Sequence, residues 1–260
     1  MTADRQVQLL FSCLVVLGLG GIANADDSGM VLIPAGQFEM GRTKTTDDDS
    51  TGMRPKALRD DRPVHTVQLD SYYLDAHEVS QADYERFVEA AGHTPPYHWL
   101  YGKAPEDRED FAVHNVDWED ATAYCGWAGK RLPTEAEWER AARGGLDGMD
   151  YPWGDQKPDD RARFNTPEGP GPVGTFRQND LELFDMVGGV AEWCSDWYQR
   201  TYYEVSPEEN PPGPESGMYK MIRGGSWSSG PRRITVFFRN WVRPNQKTPN
   251  IGIRCAKDAE

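Results

Sequence analysis

The stretch VDWEDATAYCGWAGKRLPTEAEWERAARGG, residues 116–145, reads as two short helices that each carry their own start and stop. Asp117 stands where a helix N-cap belongs, and Trp118, Ala121, Cys125 and Ala128 recur at helical spacing, so Cys125 points inward. Gly129 ends that helix. Thr134 followed by Glu137 is a capping box for the second helix, which Gly144 stops.

Towards the amino terminus, GMVLIPAGQFEMG (29–41) alternates apolar and turn residues and predicts a strand with a tight turn. Residues 42–63 are charged and nearly free of large apolar side chains, as expected of an exposed insertion. VHTVQLDSYYLDAHEVS (64–80) resumes the strand pattern, and Ser80 caps a helix over 81–91 with Tyr84, Phe87, Val88 and Ala91 on one face. Gly92 ends it, and the Pro-, Tyr- and Trp-rich loop from His93 to Asn115 is expected to cover a surface. After Gly144 the chain turns to Gly, Pro, Trp and Asp, which predicts loops and short strands. Such a segment stays ordered only if its backbone polar groups find partners, through a disulfide, a cation or aromatic clamps.

With 260 residues, of which 38% are hydrophobic, the chain can build one large core. Residues 1–25 have the parts of a signal peptide: Arg5, an apolar run from Leu9 to Ile22, and the small-x-small site Ala23-Asn24-Ala25. The run contains Gly18, Gly20 and Gly21 and falls short of the roughly 20 residues a spanning helix needs. Cys13 lies inside it, with few apolar residues ahead, which argues against a lipid anchor there. The expectation is an exported chain, periplasmic or secreted, without a membrane span after cleavage. Its net charge of -14 repels nucleic acid and anionic lipid. Three cysteines remain after residue 25, namely Cys125, Cys194 and Cys255, and spacing alone does not choose which two pair.

Taken in order, MVLIPAGQFEMG, HTVQLDSYYLDAHEVSQADYERF, the 116–145 stretch, YPWGD, DMVGGVAEWCSDWY, RGGSW and NIGIRCAKD resemble the formylglycine-generating enzymes and the wider sulfatase-modifying-factor family. The resemblance spans residues 26–260. It implies one α+β domain, C-type-lectin-like, with little regular secondary structure. It also implies a disulfide between Cys125 and Cys255, which leaves Cys194 as a buried, inert thiol. In FDMVGGVAEW it implies a calcium site formed by Asp185, Gly188, Val190 and Glu192; carboxylate and carbonyl oxygens suit that ion. A second family calcium site would start near Asn165, but TPEGPGPVG after it looks shortened and lacks the matching Asp, which leaves its occupancy open.

The formylglycine-generating enzymes oxidise a cysteine of an unfolded sulfatase with a thiolate pair that holds reduced copper, and that pair is expected shortly after RGGSW. Here Ser228, Ser229 and Gly230 follow Trp227, and Ile234 stands near the second thiolate position. The resemblance therefore predicts a cysteine-free member without the catalytic pair and without copper, not a functional formylglycine-generating enzyme. The histidines His65, His77, His93, His98 and His114 are scattered, although His93 and His98 are close enough in the chain to meet. Groove residues expected by resemblance are Ser226 and Arg239, with Trp227 and Ser229 beside them; Arg232, Arg233 and Arg243 are expected to pair with the chain's many acids. The function expected is maturation of a peptide or peptide-derived metabolite without cysteine and copper chemistry. The alternative is a non-catalytic module binding a peptide or small-molecule ligand on the lectin-like scaffold.

Overall fold

A computed structural model of the chain describes residues 29–44 and 60–259. The amino-terminal apolar run and most of the charged insertion lie outside the described residues.

The first predicted strand is two strands, β1 (Met30–Ile33) and β2 (Gly36–Met40), which join different sheets. Pro34 between them has no N–H to give a ladder, so the direction changes there. β1 pairs antiparallel with β4 (Tyr72–Asp75), and β2 with β3 (His65–Leu69). β9 (Ala256–Asp258) completes a three-stranded sheet on the other edge of β4.

Three helices form where the capping signals stand. Ser80 caps α1 (Gln81–Ala91) by accepting from the Asp83 amide, and Asp117 caps α2 (Trp118–Trp127) in a reciprocal box with Asp120. Thr134 and Glu137 form the predicted box at the start of α3 (Glu135–Arg143). Gly144 ends α3 at φ 59°, a left-handed conformation that a side chain resists.

A four-stranded sheet in the order β7 (Asn240–Val242), β6 (Lys220–Arg223), β5 (Ala191–Trp197), β8 (Ile251–Gly252) separates two apolar clusters. Side chains of a strand alternate between faces. Trp193 and its cross-strand partner Ile222 join Tyr84 and Phe87 of α1 and Ala121 and Tyr124 of α2, whereas Cys194 and Met221 join Trp138 of α3 on the other side. Cys125 in α2 is bonded to Cys255 just before β9, with Cα atoms 5.7 Å apart, and both are fully buried. This disulfide ties α2 to the carboxy-terminal strand. In ITVFFRNW (234–241) only the end is strand, in β7; Ile234, Val236 and Phe237 are buried without belonging to a sheet.

Candidate functional site

β7 is an edge strand, and the chain that leaves it, residues 243–250, folds back over the sheet towards β8. Between strand and loop lies a groove of about 340 Å³ whose polar side chains are Tyr219, Asn240, Arg243, Gln246, Thr248 and Asn250. Trp241 forms part of its wall and is held in place by stacking on Tyr198, ring centroids 4.1 Å apart and planes 9° from parallel. The loop is pinned from behind: the Trp118 amide donates to the Pro244 carbonyl (2.9 Å) and the Asn115 amide to that of Thr248 (3.0 Å).

The turn after β6 adjoins this groove. The buried Ser226 amide donates to Ser229 Oγ (3.0 Å), and Ser226 Oγ lies 3.1 Å from Ser228 Oγ and 3.3 Å from Ser229 Oγ. Asn250 Nδ2 donates to Ser228 Oγ (3.3 Å) and Trp227 Nε1 to the Pro249 carbonyl (3.0 Å), which couples the hydroxyl cluster to the groove wall. Ser226, Trp227 and Ser229 are thus assembled beside one surface.

Arg239 is not part of that surface. It is 2% exposed; its Nε and Nη2 donate to the Glu135 carboxylate at 2.7 and 2.9 Å, and its Nη1 donates to the Asp60 carbonyl at 2.8 Å. The guanidinium also lies over the Tyr203 ring at 4.2 Å. Its neighbour along the chain, Arg243, is the arginine of the groove, and it makes no hydrogen bond or ion pair with any described residue. The reading of Arg239 as a groove residue and of Arg243 as paired is therefore reversed. The cause is strand geometry, since Glu135 at the start of α3 approaches β7 from the buried side.

The histidines do not converge on the groove. His98 meets His114 edge to face at 4.3 Å, and His93 instead bonds Asp120 at 2.9 Å.

The expected calcium site at Asp185, Gly188, Val190 and Glu192 is corrected by what these groups do. Among the described residues no group of three or more His, Cys, Asp or Glu side chains is placed to hold a metal ion. Both Glu192 oxygens accept from Arg254 Nε, at 2.9 and 3.0 Å, and one also accepts from Trp138 Nε1 at 2.6 Å. Asp185 accepts from the Gly174 amide (2.6 Å), and the Val190 amide donates to Glu78 (2.7 Å). Arg254 supplies the positive charge that a cation was expected to bring. Burial pushes the carboxyls of Glu78, Asp185 and Glu192 all upward; neighbouring acids add to this at Glu78 and Glu192, and the Arg254 guanidinium opposes it at all three.

The model of the sulfatase-modifying factor enzyme 1-like domain matches residues 22–259. The chain belongs to this family. It is 35% identical to the formylglycine-generating enzyme of Streptomyces coelicolor over 89% of this chain and 90% of that one. The structure of PvdO from Pseudomonas aeruginosa shares the fold with a TM-score of 0.73 and 26% identity, covering 88% of this chain and 94% of that one. Treponema denticola variable protein 1 has the same fold, with a TM-score of 0.73 at 24% identity over 88% and 95% of the two chains. The fold class is α+β of the formylglycine-generating-enzyme type, C-type-lectin-like and sparse in regular secondary structure.

Within this family the chain is not a cysteine-free member. Cys125 and Cys255 form a joined pair, and Cys194 is a third, buried cysteine. The expected maturation role without cysteine and copper chemistry, its non-catalytic alternative, and the exclusion of formylglycine-generating activity all assumed the absence of a catalytic-type cysteine pair. The disulfide removes that assumption, and these readings are withdrawn. Ser229 and Ile234 occupy the positions after RGGSW as the sequence indicated, Ile234 fully buried.

Proposed function

We propose that this chain is an exported, polypeptide-binding member of the sulfatase-modifying factor family that holds an extended segment of its ligand in the groove between β7 and residues 243–250. The observation that carries this reading is the groove itself. It runs along the edge strand β7, so its outer backbone groups can pair with an added chain, as in strand-addition complexes. Trp241, fixed by Tyr198, gives a rigid aromatic wall for a side chain of that segment. The formylglycine-generating relative points the same way, since its name refers to a residue made within a polypeptide.

Export rests on the amino-terminal signal pattern and on the disulfide, which persists in an oxidising compartment. Among the described residues no helix is long and apolar enough to cross a membrane.

Binding of fluorescently labelled, end-capped dodecapeptides, followed by anisotropy, tests the groove. Gln246 is exposed, so Gln246→Trp fills the groove without touching the core; we expect it to weaken binding by about tenfold or more at an unchanged unfolding midpoint. Equal affinity of wild type and Gln246→Trp contradicts the proposal.

A further inference from the structure

Several carbonyls of the loop that walls the groove are already engaged, while side-chain donors beside them are not. The carbonyl of Arg243 accepts from the Gln246 amide (3.0 Å), that of Pro244 from Trp118 N, that of Thr248 from Asn115 N, that of Pro249 from Trp227 Nε1, and that of Asn250 from Ala191 N. Asn240 uses its side-chain oxygen on the Trp241 amide (2.9 Å), which leaves its NH₂ group to the groove. The Thr248 hydroxyl is buried in the wall with no partner. The Arg243 guanidinium has no described partner either. The neutral side chains keep acceptors as well, the Asn250 and Gln246 amide oxygens and the Tyr219 hydroxyl, but none of them carries a charge to match Arg243.

Charge agrees with this count. The chain carries 42 acidic and 28 basic residues, yet no Asp or Glu lines the groove and Arg243 does. A cavity kept free of acids in so acidic a chain is electrostatically distinct from the surface around it. Buried or half-buried donors without partners weaken a protein until a ligand acceptor reaches them.

The hydroxyl cluster adds to the same side. Ser226, Ser228 and Ser229 have three O–H hydrogens between them and two contacts in which to place them, Ser226 to Ser228 and Ser226 to Ser229. Ser228 and Ser229 already accept from Asn250 Nδ2 and the Ser226 amide. Whichever way the hydroxyls rotate, at least one O–H is left to donate outward at the rim of the groove.

We propose that the groove selects a carboxylate-bearing ligand, an acidic polypeptide segment, with Arg243 as the residue that determines the specificity and the Thr248 hydroxyl as a second donor. Arg243 presents a planar fork that matches a carboxylate in two parallel hydrogen bonds. This rests on the polypeptide reading above and gives its ligand a charge.

The test uses two end-capped pentapeptides, one with glutamate at its second and fourth positions and one with glutamine there, titrated into the full mature chain while the Trp241 indole N–H is followed by NMR. The glutamate peptide is expected to bind about tenfold tighter, the preference weakening as salt is raised. Arg243→Gln, at an exposed position, is expected to abolish the preference, and Arg243→Lys to retain part of it. Equal affinities in the wild type, or a preference that survives Arg243→Gln, overturn the carboxylate assignment and leave polypeptide binding standing. If neither peptide shifts the Trp241 signal, both proposals fall.

Discussion

Arg239 and Glu135 form a two-armed ion pair, 2.7 and 2.9 Å, with both side chains closed off from solvent. They belong to a buried network in which Arg223 donates to Glu135 and Glu139, and Arg143 to Glu139. Removing one partner leaves a buried charge uncompensated, which costs about 3–5 kcal/mol. Arg239→Ala is therefore expected to lower the urea midpoint sharply. A midpoint unchanged from wild type contradicts the placement of Arg239 in the core.

The pH dependence of stability should carry the mark of Asp196. Burial, and then the nearby Glu135 carboxylate, push it up to about 7. The folded chain then keeps a proton that the unfolded chain releases near pH 4, so this residue lowers stability as pH rises from about 4 to about 7, with no further change above. Asp196→Asn preserves an oxygen for the Glu135 amide, which now donates to Asp196 at 2.8 Å. Its melting temperature is expected to fall less than that of the wild type across that window and to exceed the wild-type value at pH 8. Parallel curves for the two proteins contradict the assignment.

The buried disulfide closes a loop with a sequence separation of 130 between Cys125 and Cys255. Loss of such a link costs about 2–5 kcal/mol. The double variant Cys125→Ala with Cys255→Ala is expected to melt well below wild type, whereas Cys194→Ala, which breaks no bond, is expected to shift the melt only by the small cavity it leaves. Equal melting of wild type and the double variant contradicts the structural weight given to the bridge.

Calcium is expected to do nothing. Because Arg254 already neutralises Glu192, and Asp185 is engaged by backbone amides, melting with excess calcium and with chelator should coincide. A rise in melting temperature on adding calcium contradicts this. Arg254→Ala removes the guanidinium bonded to Glu192 and is expected to be strongly destabilising.

The helices were legible because their signals are local. Ser80 with Asp83, Asp117 with Asp120, and Thr134 with Glu137 each lie within one turn, and Gly92 and Gly144 stop their helices as read. Pro34 shows the limit at the next scale: the 29–41 pattern announced strand, but not that its halves would join different sheets. Nothing local could assign Arg239 to Glu135, 104 residues away, because that depends on how α3 packs against β6 and β7, or show that Arg243 meets no acid among the described residues. The calcium expectation failed for a similar reason. The spacing of Asp185 and Glu192 was visible, whereas the arrival of Arg254 from the far end of the chain was not.

Hydrogen exchange with and without a bound acidic dodecapeptide is the most direct test of the groove. The account predicts slowed exchange at the amides of β7 and in residues 243–250, with the Ser226–Ser229 turn protected to a smaller degree and α1 unaffected. Protection concentrated elsewhere, or none at peptide concentrations that saturate binding, contradicts it.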